Sequence, residues 1–377
     1  MKGNINCLCI INHWIMYLFG TPMSSDKPAI SILHFSTGKY LRGGERQVAW
    51  LHGGLSKRGC ISKLACRKGG ELAAQGLENI ISVPWLGEWD IGGLVRFTGI
   101  CKKHRPSVIH CHDAHALTHG AFAGRRLGIP VVYTRRVVFP INVSYFSHKK
   151  YRACAAIIAV SNAAAAQCKG VVSPDRVHIV GDGADWSAPL LARPEARKRL
   201  GIPGDTFIFG TVAHFTAEKD MALLFYLANS IQAQKPGARL ACIGPFDEKR
   251  KKRYSIPESI VCAGKLDNAV QYYSAFDAYV STSSAEGLGS ALLDAIVRDI
   301  PCVAVDAGGT PDLFPDGWQL AARGDHKGFT AQVMRLMDDY PAAQAAAKRC
   351  GARARNIFSV NTMVEKTMSV YTAVASL

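Results

Sequence analysis

The sequence predicts an α/β protein made of two doubly wound, parallel-sheet domains, and three observations lead there. Short apolar runs of strand length alternate with helical segments along most of the chain, the pattern of parallel strands joined by crossover helices. The alternation stops at Gly181-Asp182-Gly183-Ala184-Asp185-Trp186, whose glycines and aspartates end a strand and release the chain, and then starts again. A chain of 377 residues, 48% hydrophobic and 20% charged, is long enough for two domains of ordinary size.

The first strand is read at 29–35 and leads into a loop ending in Gly43-Gly44-Glu45. A helix follows from Arg46, with Val48, Trp50, Leu51 and Leu55 at helical spacing and Lys57-Arg58-Gly59 as its stop signal. Further strands are expected at 61–65, 80–83, 107–110, 131–134 and 156–160. After a connecting helix around 196–200, strands are expected at 207–213, 240–244, 260–263 and 278–280, with a helix at 219–233 and a last helix at 363–375. The domain reading is an amino-terminal extension at 1–28, a first domain at 29–185, a second at 186–360 and a carboxy-terminal helix at 361–377.

The most informative stretch runs from Ala278 to Val297 and reads as strand, glycine loop, helix. Gly287 and Gly289 let backbone N–H groups approach a ligand, and a helix start adds partial positive charge where a phosphate could sit. Glu286 lies just before the helix and Asp294 eight positions on, a span of roughly 10–12 Å at 1.5 Å per residue. Two acids that far apart, with an anion site between them, suit a nucleotide sugar.

This pattern resembles the E-x7-E signature of retaining GT-B glycosyltransferases, most closely family 4, the group 1 glycosyl transferases, with the second acid shortened to Asp294. The flank Pro301-Cys302-Val303-Ala304-Val305-Asp306-Ala307-Gly308-Gly309-Thr310-Pro311-Asp312-Leu313 agrees with the family's second strand, glycine turn and short helix. The resemblance covers about residue 30 to the end. It implies two Rossmann-like domains facing a cleft, with the last helix crossing back to the first domain. It also implies that Glu286 holds sugar hydroxyls, that Lys219 and the N–H groups of Gly287, Leu288 and Gly289 hold the donor phosphates, and that Asp294 accepts from the ribose.

Other segments carry the resemblance with departures. Gly210-Thr211-Val212-Ala213-His214-Phe215-Thr216-Ala217-Glu218-Lys219-Asp220 resembles the family's Gly-x-Val-Gly-Arg-Leu-x-x-x-Lys-Gly, with His214 in the place of Arg and Asp220 in that of Gly. A neutral imidazole donates one hydrogen bond where Arg offers a charged fork, so phosphate affinity or its pH profile is expected to differ. Gly43, Gly44 and Glu45 match the loop that approaches donor and acceptor. Val108-Ile109-His110-Cys111-His112-Asp113-Ala114-His115 looks like the family's His-x-His segment facing the cleft, so His112 and Asp113 are candidates for contact with sugar or acceptor. Arg136 occupies the place where many relatives carry a histidine that touches the transferred sugar, and an arginine there hints at a negative group on substrate or acceptor.

The function implied is retaining transfer of a hexose or related sugar from a nucleotide donor to a cell-envelope glycolipid, lipopolysaccharide or polysaccharide precursor, with Glu286, His112 and Arg136 as the catalytic set. No carboxylate nucleophile is evident, which is consistent with a front-face mechanism. No cofactor is expected. Three histidines and an acid between 110 and 115 raise a metal site, but the fold resembled is usually metal-independent, and none is expected. Two other classes stay open: a GT-B nucleotide-sugar epimerase or hydrolase, and a non-catalytic protein that binds anionic glycan.

Charge and cysteines bound the setting. The net charge is +16, and residues 1–190 carry 23 Lys and Arg against 10 Asp and Glu, so the basic excess sits in the first half. That half invites an anionic membrane surface through Arg42, Lys57, Arg58, Lys102, Lys103, Arg105, Lys149 and Lys150. The run Lys249-Arg250-Lys251-Lys252-Arg253 has no aromatic platform beside it, so nucleic acid is not expected as a partner. Twelve cysteines without a C-x-x-C pair suggest reduced thiols and a cytoplasmic location, at the inner face of the membrane. The apolar run at 5–19 is too short and interrupted to span a bilayer. It reads as sequence upstream of a true start at Met23, as an interfacial anchor, or, less well given the cysteines, as a secretory signal.

Overall fold

The computed structural model describes residues 30–142, 144–245, 256–257 and 259–376. The extension 1–28 and the basic run 249–253 lie outside them.

Seven parallel strands form the first sheet: β1 (Ser31–Ser36), β2 (Ile61–Arg67), β3 (Ile80–Val83), β4 (Val108–Cys111), β5 (Val131–Arg135), β6 (Ala156–Ala159) and β7 (Val177–Ile179). Their order is β3-β2-β1-β4-β5-β6-β7. The chain winds outward from β1 to β3, returns to β4 and winds the other way. The direction therefore reverses between β1 and β4, where a doubly wound sheet opens a crevice at the carboxyl ends of its strands. The connecting helices are α1 (Gly43–Ser56), α2 (Ile91–His104), α3 (Ala114–Leu127), α4 (Tyr145–Arg152) and α5 (Asn162–Ala166). They cover both faces, which is why β4 and β6 are buried along their whole length and read as unbroken apolar runs apart from His110.

After α6 (Arg193–Arg199) the pattern repeats with β8 (Phe207–Val212), α7 (Met221–Gln234), β9 (Ala238–Ile243), β10 (Ile260–Gly264), β11 (Ala278–Ser281), α8 (Ser290–Ile296), β12 (Cys302–Val305) and β13 (Leu320–Ala321). The second sheet has the order β10-β9-β8-β11-β12-β13, so its switch point lies between β8 and β11. Helices α9 (His326–Asp338) and α10 (Tyr340–Ile357) lead to α11 (Val360–Ala375), which packs on α1, β4 and β6 of the first domain. Between the sheets, the Gln47 side chain donates to the Gly183 carbonyl at 2.7 Å and accepts from its N–H at 2.8 Å. Ala184 in turn bridges to Ser359, so both chain crossings are tied together.

The structure differs from the sequence reading in a few places. Gly43 and Gly44 are the first turn of α1, not a loop before it, and Glu45 Oε2 accepts the N–H of Arg42 at 3.1 Å, as an acid in a first helical turn does. The edge strands β7 and β13 went unread. β7 is half-exposed and only three residues long, and β13 has two, so neither carries the continuous apolar run that marks a central strand.

Candidate active site between the two domains

The segments that follow β1, β4 and β5 carry Gly43 and Gly44 in the first turn of α1, His112 and Asp113, and Arg136, all at the carboxyl edge of the first sheet. The loops after β8 and β11 carry His214 and Lys219, and Glu286 to Gly289, at the corresponding edge of the second. These two edges face each other closely. Gly43 lies against Ser290, and the Arg136 carbonyl sits where a side chain on Gly287 would be. Asn162 donates to Asp312 at 2.8 and 3.1 Å, and Lys265 pairs with Glu71 at 2.9 Å.

On the second-domain side, the two loops are zipped together. Thr282 Oγ1 donates to the Lys219 carbonyl at 2.6 Å, and the Ser284 N–H donates to the Glu218 carbonyl at 2.7 Å. That register brings the Lys219 ammonium onto Glu286 Oε1 as an ion pair. The side chains assigned from the sequence to phosphate and to sugar are thus neighbours, each partly open to solvent. Gly287 must lack a side chain because of the Arg136 carbonyl, and Gly289 takes φ +97° to turn into α8, a left-handed value that favours glycine. α8 is seven residues long, so residues 286–289 are loop and only part of the span from Glu286 to Asp294 is helical. Leu288 is buried in the core, which leaves its backbone as the part that can serve a ligand. His214 stands exposed in the turn after β8, with its carbonyl accepting from the Thr216 N–H at 2.8 Å.

Asp294 is 2% exposed, and its Oδ2 accepts from Arg46 Nη2 at 2.6 Å across the domain boundary. Arg298 holds its other oxygen at 3.7 Å. Arg46 also stacks over Trp50 at 4.7 Å. In this closed arrangement a ribose could reach the Asp294 carboxylate only if Arg46 released it. Arg46→Ala and Asp294→Asn should therefore be non-additive: a double-mutant cycle by urea unfolding should give a coupling of about 1–3 kcal/mol. Additive losses would show that the pair does not clasp the domains.

His112 lies beside a cluster that the sequence reading did not assemble. His34 and His110 are register partners on β1 and β4, and His34 Nδ1 and His112 Nε2 are 2.9 Å apart. The hydroxyl of Tyr371 on α11 is 2.5 Å from His110 Nδ1, and Thr134 Oγ1 is 2.7 Å from His110 Nε2. Burial pushes all three imidazoles well below the ordinary histidine range, helped by one another, by His52 and by Arg136. Among the described residues these are the side chains whose nitrogens gather closely enough to take a metal ion. His115, weighed with them from the sequence, is instead exposed and bonded to Glu88 at 2.9 Å. The overlooked member, His34, had a signal: a lone polar residue inside Ile32-Leu33-His34-Phe35, a strand otherwise buried.

Both oxygens of Asp113 are engaged within the first domain. It caps α3 by accepting the N–H groups of His115 and Ala116, and it binds Thr37 N–H and Oγ1 at 2.7 and 2.8 Å. Its carboxylate joins β4 to the loop after β1, which holds the cleft edge in place. Arg136 Nε donates to Asp182 at 3.1 Å, while its Nη1 is buried with no hydrogen-bond partner.

Two parallel-sheet domains whose loops meet at their switch points define the GT-B class of fold. The structure superposes on that of Anabaena HepE in complex with UDP and glucose with TM-score 0.77, at 17% identity, over 91% of this chain and 100% of that one. It superposes on sucrose-phosphate synthase from Thermosynechococcus elongatus with TM-score 0.76, at 16% identity, over 92% and 99%. The family described as Glycosyltransferase Family 4 matches residues 41–203, and that described as Glycosyl transferases group 1 matches 192–357. The two matches together run through most of both domains, and the chain belongs to the family 4, group 1 glycosyltransferases. Among its relatives, the sulfoquinovosyl transferase of Arabidopsis thaliana is 25% identical over 236 residues, which cover 57% of this chain and 45% of the relative. The lipopolysaccharide core biosynthesis mannosyltransferase LpsB of Rhizobium meliloti is 28% identical over 233 residues, 57% of this chain and 65% of its own. The chain thus spans less than two thirds of the length of either relative.

Proposed function

We propose that this chain is a retaining glycosyltransferase that moves a sugar from a nucleotide donor to a glycolipid, lipopolysaccharide or polysaccharide precursor of the cell envelope. The observation that carries the reading is the Lys219–Glu286 pair at the junction of the two second-domain loops, in the loop whose Gly287 abuts the Arg136 carbonyl of the first domain. Glu286 accepts from sugar hydroxyls, while Lys219, His214 and the N–H groups of Gly287, Leu288 and Gly289 hold the diphosphate. Asp294 serves the ribose once Arg46 lets it go. The relative named for lipopolysaccharide core biosynthesis supports an envelope acceptor, and the UDP complex of HepE supports a nucleotide donor.

In the step itself, the acceptor oxygen bonds to the anomeric carbon on the face that the diphosphate leaves. The bond from that carbon to the phosphate oxygen breaks, and the acceptor proton passes to that oxygen. Stabilising the departing diphosphate is then the main catalytic contribution. Arg136 and His112 border the reacting sugar from the first domain. Neutralisation by Lys219 in place of a metal leads to one expected result: turnover should survive EDTA, and a complete loss restored by added divalent metal would contradict this reading.

Melting curves with UDP-, GDP-, ADP- and CMP-sugars test the donor directly. One base class should raise the melting temperature, since a ligand at about 100 times its Kd adds about 2.7 kcal/mol. No shift with any of them would overturn the assignment. Among the described residues no helix is long and apolar enough to cross a membrane; attachment at the inner membrane face is part of the proposal.

A further inference from the structure

Leu86, Trp89, Ile91, Tyr145 and Phe146 are 67–83% exposed, more than any other large apolar side chain among the described residues. They come from two segments far apart in sequence, and the aromatic ones meet in space. The Trp89 and Phe146 rings are edge to face at 6.3 Å, and Phe146 meets Tyr145 at 5.7 Å. Contiguous aromatic exposure on this scale is unusual for a surface that faces only water.

The ridge is held out on a fixed support. Glu88, between Leu86 and Trp89, accepts from Lys150 Nζ at 2.7 Å and from Thr118 Oγ1 at 2.6 Å, and pairs with His115 at 2.9 Å. These bonds fasten the loop after β3 to α3 and α4. Burial would raise the Glu88 carboxyl, but the bonds from Lys150, Thr118 and His115 outweigh it and hold the pKa at about 2, so the fastening stays ionised.

The charge around the ridge is positive. Its acids are already matched, Glu88 by Lys150 and Asp90 by Arg96 at 2.7 Å. Lys149 is exposed and lies over the Tyr145 ring at 5.6 Å. Along α2 runs an open groove of about 360 Å³ with Val83, Pro84 and Ile100 in its walls and Arg96 and Lys103 beside them. The cations expected from sequence to meet a membrane do not all share this face. Lys57 and Arg58 end α1 at the opposite edge of the sheet from Arg42, about 20 Å away at 1.5 Å per residue, and Arg58 is paired with Glu365 at 3.2 Å.

Aromatic rings at a rim of cations have the composition of a segment seated at a lipid headgroup layer. We propose that this ridge docks the protein on an anionic bilayer, with Trp89, Tyr145 and Phe146 in the interfacial layer and Lys103 and Lys149 on lipid phosphates. The segments bearing the ridge leave the carboxyl ends of β3 and β5, the same edge as His112 and the Gly43-Gly44 turn. A membrane-borne acceptor would therefore arrive beside the cleft mouth. That last consequence rests on the transferase reading; the docking itself does not.

The test is co-sedimentation of the full chain with phosphatidylcholine vesicles, with and without phosphatidylglycerol, at low and high salt. The wild type should sediment with the anionic vesicles and be released by salt. Trp89→Ser/Phe146→Ser should lower the partition coefficient at least tenfold, and Lys149→Glu several-fold, with melting temperature and nucleotide-induced shift unchanged. Equal binding of the wild type and the double variant would overturn the proposal. So would binding that only removal of residues 1–28 abolishes, or a dimer that the double variant dissolves without effect on vesicles. Vesicle binding by a protein that responds to no nucleotide sugar would leave the ridge standing and sink the transferase reading; the reverse result would do the opposite.

Discussion

Glu286→Gln should lower turnover by roughly 10- to 150-fold for each sugar hydroxyl bond it weakens, because charge-assisted hydrogen bonds contribute about 1.5–3 kcal/mol each. The substitution keeps the shape of the side chain and removes the charge facing Lys219. Folding should hardly change. The pair lies partly in solvent, where such bridges contribute about 1 kcal/mol or less, so the melting temperature should move by only a few degrees. Lys219→Met is the complement: it should also slow turnover and should weaken nucleoside diphosphates more than the matching nucleosides. Near-normal turnover in Glu286→Gln would remove the central residue from the site.

The second large effect is on stability in mild acid. His34, His110 and His112 are neutral in the folded protein because burial pushes their pKa values well below that of a free histidine, with Arg136, His52 and the neighbouring imidazoles adding to the push. In the unfolded chain each takes a proton near pH 6.5. Below that value the unfolded state binds more protons, so folding weakens as the pH falls, and above it the contribution is flat. Each histidine gives a slope of about 1.4 kcal/mol per pH unit, and three acting together give about 4, a large share of an ordinary domain's 5–15 kcal/mol. Urea unfolding at a series of values from about pH 7.5 down to about pH 5 should show this loss well before the carboxylates titrate. Glu88 belongs to the lower window: its contribution is full above the ordinary carboxylate range and is lost as the pH falls through that range to about 2. Replacing His34 by Gln should flatten the slope by one histidine's share, about 1.4 kcal/mol per pH unit. Equal stability at both ends of that range would mean that the cluster takes up protons while folded.

The fold was legible because parallel strands buried on both faces leave unbroken apolar runs, and β6 and β12 are of that kind. The loop from Glu286 to Gly289 was legible because its glycines sit between a strand and a helix, where few other arrangements place them. What the sequence could not show was pairing across the chain. Arg46 looks like an ordinary helix-surface cation until α8 is brought against it, and 248 residues separate it from Asp294. The same holds for Tyr371, which reaches His110 only because α11 crosses back over the first sheet. Asp113 has a role that the sequence reading did not give it: its position one residue before α3 makes it a helix cap.

The ridge was half visible. Lys149, Lys150 and the basic excess of the first half pointed to an anionic surface, but charge alone did not choose a face. The choice comes from Trp89 and Phe146 meeting in space, which needs Glu88 to fasten their segments together.

The most direct test of the transferase reading is to follow the anomeric carbon of a 13C-labelled nucleotide sugar by NMR, with the donor base chosen from the melting curves and a membrane extract as acceptor. The expected spectrum shows the donor signal replaced by a new glycosidic signal of the same anomeric configuration, in step with release of the nucleoside diphosphate and only when acceptor is present. A signal that ends in free sugar or in an epimerised nucleotide sugar, with or without acceptor, would contradict it.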